Sequence, residues 1–157
     1  MNIKLGRVTL HTGMLFSEFQ NEFQNAFHIS NPYRINETTI ATAFINTYYE
    51  QDGKKYRGYA EMYFSRLPNG DGILDRIRCR YSKVRYDRAM IPRRRDQDAR
   101  YYGHKEFLES LLGKPTEETN EYVKYQRDGG YIICRQFFSG PKIYSGGHIE
   151  IFLIIKS

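Results

Sequence analysis

Three segments between Thr39 and Tyr81 alternate with short turn sequences, and this pattern most limits the possible fold. Thr39–Tyr49 is rich in β-branched and aromatic residues, which favour strands. Asp52-Gly53 is a strong hairpin signal, and Pro68–Gly72 supplies a second turn. Between and after these turns, residues 56–64 and 73–81 alternate with period two. We therefore predict a meander of three antiparallel strands.

The third strand of this meander carries arginine at alternate positions. Arg76, Arg78 and Arg80 have one parity, whereas Ile77 and Cys79 have the other. Because successive side chains of a strand point to opposite faces, the three arginines are expected on one face of the sheet.

The positive charge of the chain is concentrated around this strand. The 25 positions from Arg76 to Arg100 hold ten of the 24 Lys and Arg residues and three Asp, a charge of +7 against +6 for the whole chain. An electrostatic partner would therefore be anionic and would meet this segment. Residues 87–100, which include Arg93, Arg94 and Arg95, are predicted to form a long, exposed, basic loop.

Two helices are predicted outside the meander. The first begins at Ser17, where Ser17 and Gln20 have capping-box spacing. The second spans His104–Leu112 and ends at Gly113, with Pro115 behind it. An apolar stripe with helical spacing marks the first helix as a core element; it consists of Phe16, Phe19, Phe23 and Phe27.

Further strands are predicted at both ends of the chain. At Ile3–Leu10 the alternation slips by one residue, which a bulge at Gly6 would explain. Near the other end, strand-like runs separated by glycine turns span Tyr122–Gln126, Tyr131–Phe138 and His148–Ile155.

Helix and strands occur in the same order in two halves of the chain, approximately 1–86 and 101–157, joined by the basic loop 87–100. Each half places a helix before three antiparallel strands. We therefore predict a single α+β domain over 1–157, in which two short helices cover one face of an extended antiparallel sheet. The other face is expected to carry Tyr and Arg side chains to solvent.

Composition and motifs favour a cytoplasmic chain without a cofactor. Cys79 and Cys134 are expected to be buried free thiols. Residues 1–7 lack signal-peptide features, and the apolar run 151–155 is too short to cross a membrane. No metal-ligand spacing or nucleotide-binding glycine pattern is present in the sequence, so no metal or cofactor is expected.

One group of residues would suit catalysis. His148 and Glu150 share a face of the last predicted strand, which could place them beside Arg135 or beside the arginine strand. A base, an acid and a cation on an open sheet face could cleave RNA. The same residue types also occur on solvated sheet faces that catalyse nothing, so this role is kept as the alternative.

The arginine strand itself has three interpretations. It can be a solvated face balanced by Asp75, Glu61 or Glu150 on neighbouring strands. It can also dock an acidic protein surface, or it can bind nucleic acid through phosphates and stacked bases. Charge alone fixes the sign of a partner and leaves these alternatives open.

Two segments resemble a known group of proteins. Gly6–Phe19 contains a strand, a Gly-Met turn and a helix that opens on a Phe, and Phe107–Thr116 contains a helix closed by Leu-Gly-x-Pro. Both are similar to small bacterial α+β proteins that include immunity proteins of polymorphic toxin systems. The resemblance implies a cytoplasmic protein that works by binding one partner.

Taken together, these observations favour a non-enzymatic binding protein with an acidic protein partner, and toxin neutralisation is its most concrete version. The alternative is a nucleic-acid-binding protein or an RNase-like enzyme that uses the same surface with His148, Glu150 and Arg135. The predicted contact residues are Arg76, Arg78, Arg80, Arg93, Arg94, Arg95, Tyr59 and Tyr63.

Overall fold

The computed structural model describes residues 1–5, 8–23, 28–29, 39–51, 53–81, 94–135 and 148–155, with side chains placed for 1–5, 8–23, 53, 58, 60–80, 101–135 and 148–155. These ranges contain two helices, α1 (Phe16–Glu22) and α2 (Arg94–Leu112). Their strands are β1 (Asn2–Leu5), β2 (Val8–His11), β3 (His28–Ile29), β4 (Thr39–Gln51), β5 (Lys54–Arg66), β6 (Gly72–Tyr81), β7 (Glu117–Glu118), β8 (Tyr122–Arg127), β9 (Gly130–Arg135) and β10 (His148–Leu153).

The main sheet is antiparallel throughout and has the order β3-β4-β5-β6-β10-β9-β8-β7. Its six longer strands form two meanders, β4-β5-β6 and β8-β9-β10, which meet where β6 pairs with β10. β1 and β2 form a separate two-stranded sheet. The predicted α+β class, with an antiparallel sheet and two helices, is confirmed.

Both helices pack on the same face of the main sheet. The register pairs Ala60 with Cys79 and Cys79 with Ile149, so these side chains lie on one face. They belong to one buried cluster with Phe19 of α1 and Phe107 of α2. Fully burying a side chain of the size of Phe19 or Ile149 contributes roughly 1.5–3 kcal/mol. We call this the helix face of the sheet.

Cys79 and Cys134 are both buried free thiols, as predicted. Burial raises the pKa of each thiol to about 12. Both cysteines therefore act as small apolar core residues.

The N-terminal strand prediction was wrong. Ile3–Leu10 is not one bulged strand but a hairpin in which β1 and β2 pair, with Ile3 opposite Leu10 and Leu5 opposite Val8. All four of these side chains are buried. The slip in alternation marks the point where the chain reverses, which keeps the apolar residues on one face.

The prediction of a basic loop over 87–100 was also wrong for residues 94–100, because α2 begins at Arg94 and not at His104. Tyr101 and His104 are 3% and 1% exposed, so they extend the buried stripe of Phe107 and Leu108 toward the N-terminus. The many charged residues of this segment made the stripe hard to recognise in the sequence, although Arg, Gln and Ala all favour helices. Residues 87–93 lie outside the described part of the chain.

The start of α1 differs from the predicted capping box. The backbone N–H of Leu15 donates to Glu18, and Ser17 instead donates through its hydroxyl to Asp71 (2.5 Å), in the turn between β5 and β6. Phe16, Phe19 and Phe23 pack in or against the core, and Phe27 lies outside the described residues.

An ion pair joins α1 to β2: His11 Nε2 lies 2.7 Å from Glu18 Oε1, and both side chains are about two-fifths exposed (39% and 42%). The hydrogen bond between them raises the pKa of His11 above 6.5 and lowers the pKa of Glu18 below 4.5. The His11 contribution to stability is present below pH 6.5 and disappears as pH rises through the raised pKa. The Glu18 contribution is present above pH 4.5 and disappears as pH falls through the lowered pKa.

We therefore expect this pair to stabilise the fold most between those two pH values. Because the pair is exposed and screened by solvent, the effect should be at most about 0.5 kcal/mol. The measurement is the difference in unfolding free energy between the wild type and His11→Gln, taken at about pH 5.5 and about pH 8. A difference that does not shrink at the higher pH would contradict the assignment.

Candidate functional site

The face of the main sheet opposite the helices carries the predicted arginines. Arg76, Arg78 and Arg80 alternate with the buried Ile77 and Cys79 along β6, and all three are partly exposed. The three arginines share a face because they lie at alternate positions of β6. We call the face of β5, β6, β10, β9 and β8 that carries them the basic sheet face.

Strand register arranges this face into three cross-strand rows. On these five strands the rows hold five cations and two carboxylates, and Glu117 of β7, opposite Lys124, adds a third carboxylate to the second row; the formal excess is +2 with histidine neutral (5 − 3 = 2). In the order β5, β6, β10, β9, β8, the rows are Tyr63, Arg76, Phe152, Tyr131, Gln126; then Glu61, Arg78, Glu150, Ile133, Lys124; then Tyr59, Arg80, His148, Arg135, Tyr122.

The Tyr63 ring lies beside the guanidinium groups of Arg76 and Arg78. The Arg76 guanidinium carbon lies 4.0 Å from the ring centroid of Tyr63, and that of Arg78 lies 5.9 Å away. The Tyr63 hydroxyl donates to Glu61 (2.5 Å). Burial, together with this bond to Glu61, raises the pKa of Tyr63 to about 12. The expectation that tyrosines on this face point to solvent is wrong for Tyr63, which is 3% exposed.

A buried histidine–glutamate pair lies at the centre of the basic sheet face. His148 Nε2 is 2.6 Å from Glu150 Oε1, and Arg78 Nη2 is 3.9 Å from the same oxygen. Burial alone would raise the pKa of Glu150. The hydrogen bond and charge of His148, with the charges of Arg78 and Arg76, outweigh burial and lower that pKa. Glu150 is therefore ionised, so His148 Nε2 is the hydrogen-bond donor.

The structure thus brings together the three residues of the catalytic alternative. Arg135 lies directly opposite His148 on β9, and Arg78 lies opposite Glu150 on β6. However, the side chains of His148 and Glu150 are only 7% and 6% exposed. A general acid or base must reach the proton that it transfers, so this burial opposes catalysis and favours a role in fixing Arg78.

A shallow depression of about 240 Å³ lies at the β8–β9 end of the basic sheet face. Lys124 Nζ lies 4.7 Å from the ring centroid of Tyr131, which stacks on Phe152 at 4.9 Å. Our sequence interpretation missed four of its five lining residues, although their alternation resembles that of the arginine strand. The lining residues are Tyr122, Lys124, Tyr131, Ile133 and Arg135.

Of the remaining predicted contact residues, Tyr59 lies in the basic sheet face, whereas Arg94 and Arg95 lie in α2. Arg94 and Arg95 start α2, whose later turns pack on the opposite face of the sheet. Tyr59 lies opposite Arg80 in β5, but its side chain is not among those described. Arg93 lies outside the described residues.

Among the residues that the structure describes, no three His, Cys, Asp or Glu side chains are grouped to hold a metal ion. In the same part of the chain, neither helix is both long enough and apolar enough to cross a membrane. Comparison with known proteins found no matching family model, no similar curated protein and no similar solved structure.

Proposed function

We propose that this chain is a non-enzymatic binding protein whose basic sheet face docks an acidic partner protein. The observation that carries the proposal is the +2 excess across the three rows, where five cations meet three carboxylates, Glu117 included. One of these carboxylates, Glu150, is buried against His148 and is therefore not exposed to a partner. An acidic surface would meet complementary charge here, which speeds association and excludes basic partners.

The arginines of this face are also held in position before any partner arrives. Tyr63 lies beneath Arg76, and Glu150 pairs with Arg78. Side chains that are already ordered lose less rotamer entropy on binding, where the loss is about 0.5–1.5 kcal/mol for each side chain. Arg and Tyr are also the residues that dominate binding energy at protein interfaces.

The aromatic rings of this face favour a protein partner over a nucleic acid. Single-stranded nucleic acids bind by stacking bases on exposed rings. Tyr63 is covered by Arg76, and Tyr131 stacks on Phe152 while Lys124 lies over its ring. Tyr63 and Tyr131 therefore offer little surface for bases. The burial of His148 and Glu150 likewise weighs against RNA cleavage.

In its most specific form, the proposal is a cytoplasmic immunity protein that neutralises a toxin with an acidic surface. This version is supported only by the resemblance of two segments to immunity proteins of toxin systems. Where a neighbouring gene encodes a large secreted protein, co-purification with its C-terminal domain tests it. If that domain fails to bind the purified chain, this version is rejected for that pair.

The general proposal is tested with fluorescent polyglutamate and a mixed-sequence RNA of similar charge. We expect anisotropy titrations to show polyglutamate binding that weakens between about 50 and 200 mM salt, because exposed charges are screened. Arg76→Gln combined with Arg80→Gln should weaken it about tenfold, since each exposed charge contributes up to about 1 kcal/mol.

The matched control is Lys4→Gln combined with Lys114→Gln, which removes the same formal charge from exposed positions outside the basic sheet face. It should change polyglutamate affinity less than about twofold. Equal weakening by both double variants would show that only net charge matters and would contradict the proposal. Tighter binding of the RNA than of polyglutamate would instead support the nucleic-acid alternative.

A further inference from the structure

The depression on the basic sheet face combines cations with an apolar floor. Across β8 and β9, Tyr122 lies opposite Arg135, and Lys124 lies opposite Ile133. Ile133 is 5% exposed and forms the floor, while Lys124 and Arg135 are partly exposed.

Both nearby carboxylates already have partners. Glu117 accepts a hydrogen bond from the Tyr122 hydroxyl, and Glu150, the neighbour of Ile133 on β10, is bonded to His148. The lining itself contains no acidic residue. An incoming anion would therefore meet two cations within the depression, with Glu117, opposite Lys124 on β7, and Glu150 beside its lining.

We propose that this depression receives a glutamate side chain of the partner protein, with the carboxylate between Lys124 and Arg135 and the methylene groups on Ile133. The inference rests on the proposed docking function and names the element that the site recognises. Charge-assisted bonds to Lys and Arg would hold the carboxylate. Burial of the stem on Ile133 and beside Tyr131 would add apolar contact.

The size of the depression suits one side chain better than a larger ligand. Its volume of about 240 Å³ corresponds to roughly eight liquid-water volumes. Pockets for drug-sized ligands and cofactors are larger, at about 300–1,000 Å³. The apolar floor also favours a carboxylate on a methylene stem over a bare inorganic anion.

The test is an amide NMR titration of the full chain with N-acetylglutamate, using N-acetylglutamine as the neutral match; both are used as their α-methylamides, so that the glutamate side chain carries the only carboxylate. We expect N-acetylglutamate to shift the β8 and β9 amides saturably, with a Kd of about 1–10 mM. N-acetylglutamine should leave them unchanged. Lys124→Gln should weaken N-acetylglutamate binding about tenfold, since it removes one charge-assisted bond. The control Lys114→Gln should not, and the spectra also report whether each variant is folded.

Three results would overturn the inference: equal shifts with N-acetylglutamine, no shifts in β8 and β9, or tighter binding of inorganic phosphate at the same amides. Failure of the glutamate pocket can be distinguished from failure of the docking proposal. If polyglutamate still requires Arg76 and Arg80 while N-acetylglutamate does not bind, only the glutamate pocket is rejected. If N-acetylglutamate binds as expected but polyglutamate does not bind, the pocket stands and the docking proposal fails.

Discussion

Glu150→Ala is expected to destabilise the fold by about 1–3 kcal/mol, because it removes the acceptor of a buried hydrogen bond from His148 and the carboxylate beside Arg78. Glu150 is 5% exposed and accepts from His148 at 2.6 Å, with Arg78 at 3.9 Å. Removing the carboxylate takes away the acceptor of the His148 hydrogen bond and the negative charge nearest to Arg78. Urea denaturation monitored by circular dichroism measures the loss as a lower midpoint, provided that the slope is unchanged.

Two further variants isolate the cause of that loss. Glu121→Ala removes an exposed carboxylate and should change stability by less than about 0.5 kcal/mol. Arg78→Met combined with Glu150→Leu replaces both charges with apolar groups and should cost less than Glu150→Ala alone. A loss below about 1 kcal/mol for Glu150→Ala would mean that water screens the pair and that burial does not fix Arg78.

Gly130→Ala is expected to destabilise the fold by about 2–3 kcal/mol through overpacking. A Cβ atom at Gly130 would lie 2.0 Å from the backbone carbonyl oxygen of Phe152, on the paired strand β10. Since the obstacle is backbone, relief requires β9 and β10 to separate where Gly130 pairs with Leu153. Thermal unfolding should show a Tm lower by roughly 4–12 °C, given about 2–4 °C per kcal/mol for a chain of this size.

Gly70→Ala is the matched control for this substitution. Gly70 has a φ of +86° in the turn before β6, and a Cβ there meets no atom within 4 Å. Its replacement therefore tests backbone strain alone and should cost about 1 kcal/mol. If Gly130→Ala cost no more than Gly70→Ala, close approach of β9 and β10 would not be the reason for glycine at this position.

Local patterns in the sequence predicted the meander but not the full extent of the helices. The strands β4, β5 and β6 follow from period-two alternation and turn residues that lie close together in the chain. The start of α2 was missed because Tyr101 and His104 extend its buried stripe through a segment that otherwise appears charged and exposed. The β1–β2 hairpin was missed because its reversal resembles a slip in one strand.

The sequence predicted which residues share a face of the sheet, but it did not predict which residues of other strands lie beside them. Parity placed Arg76, Arg78 and Arg80 together, since alternation is a local property of one strand. The pairing of β6 with β10, which brings Glu150 beside Arg78, joins segments about seventy residues apart, and parity carries no information on such contacts. Of the carboxylates that the sequence offered to balance the arginines, Glu150 lies beside Arg78, and the Tyr63 ring lies under Arg76.

The position of β10 between β6 and β9 has a consequence for biosynthesis. A ribosome completes both neighbours of this strand before it delivers residues 148–153. Until these residues pair, the facing edges of β6 and β9 have unpaired backbone donors and acceptors. A strand of another molecule can pair with such an edge. Exchange of this segment between two copies would satisfy the same hydrogen bonds. A high local concentration of nascent chains should therefore favour domain-swapped dimers.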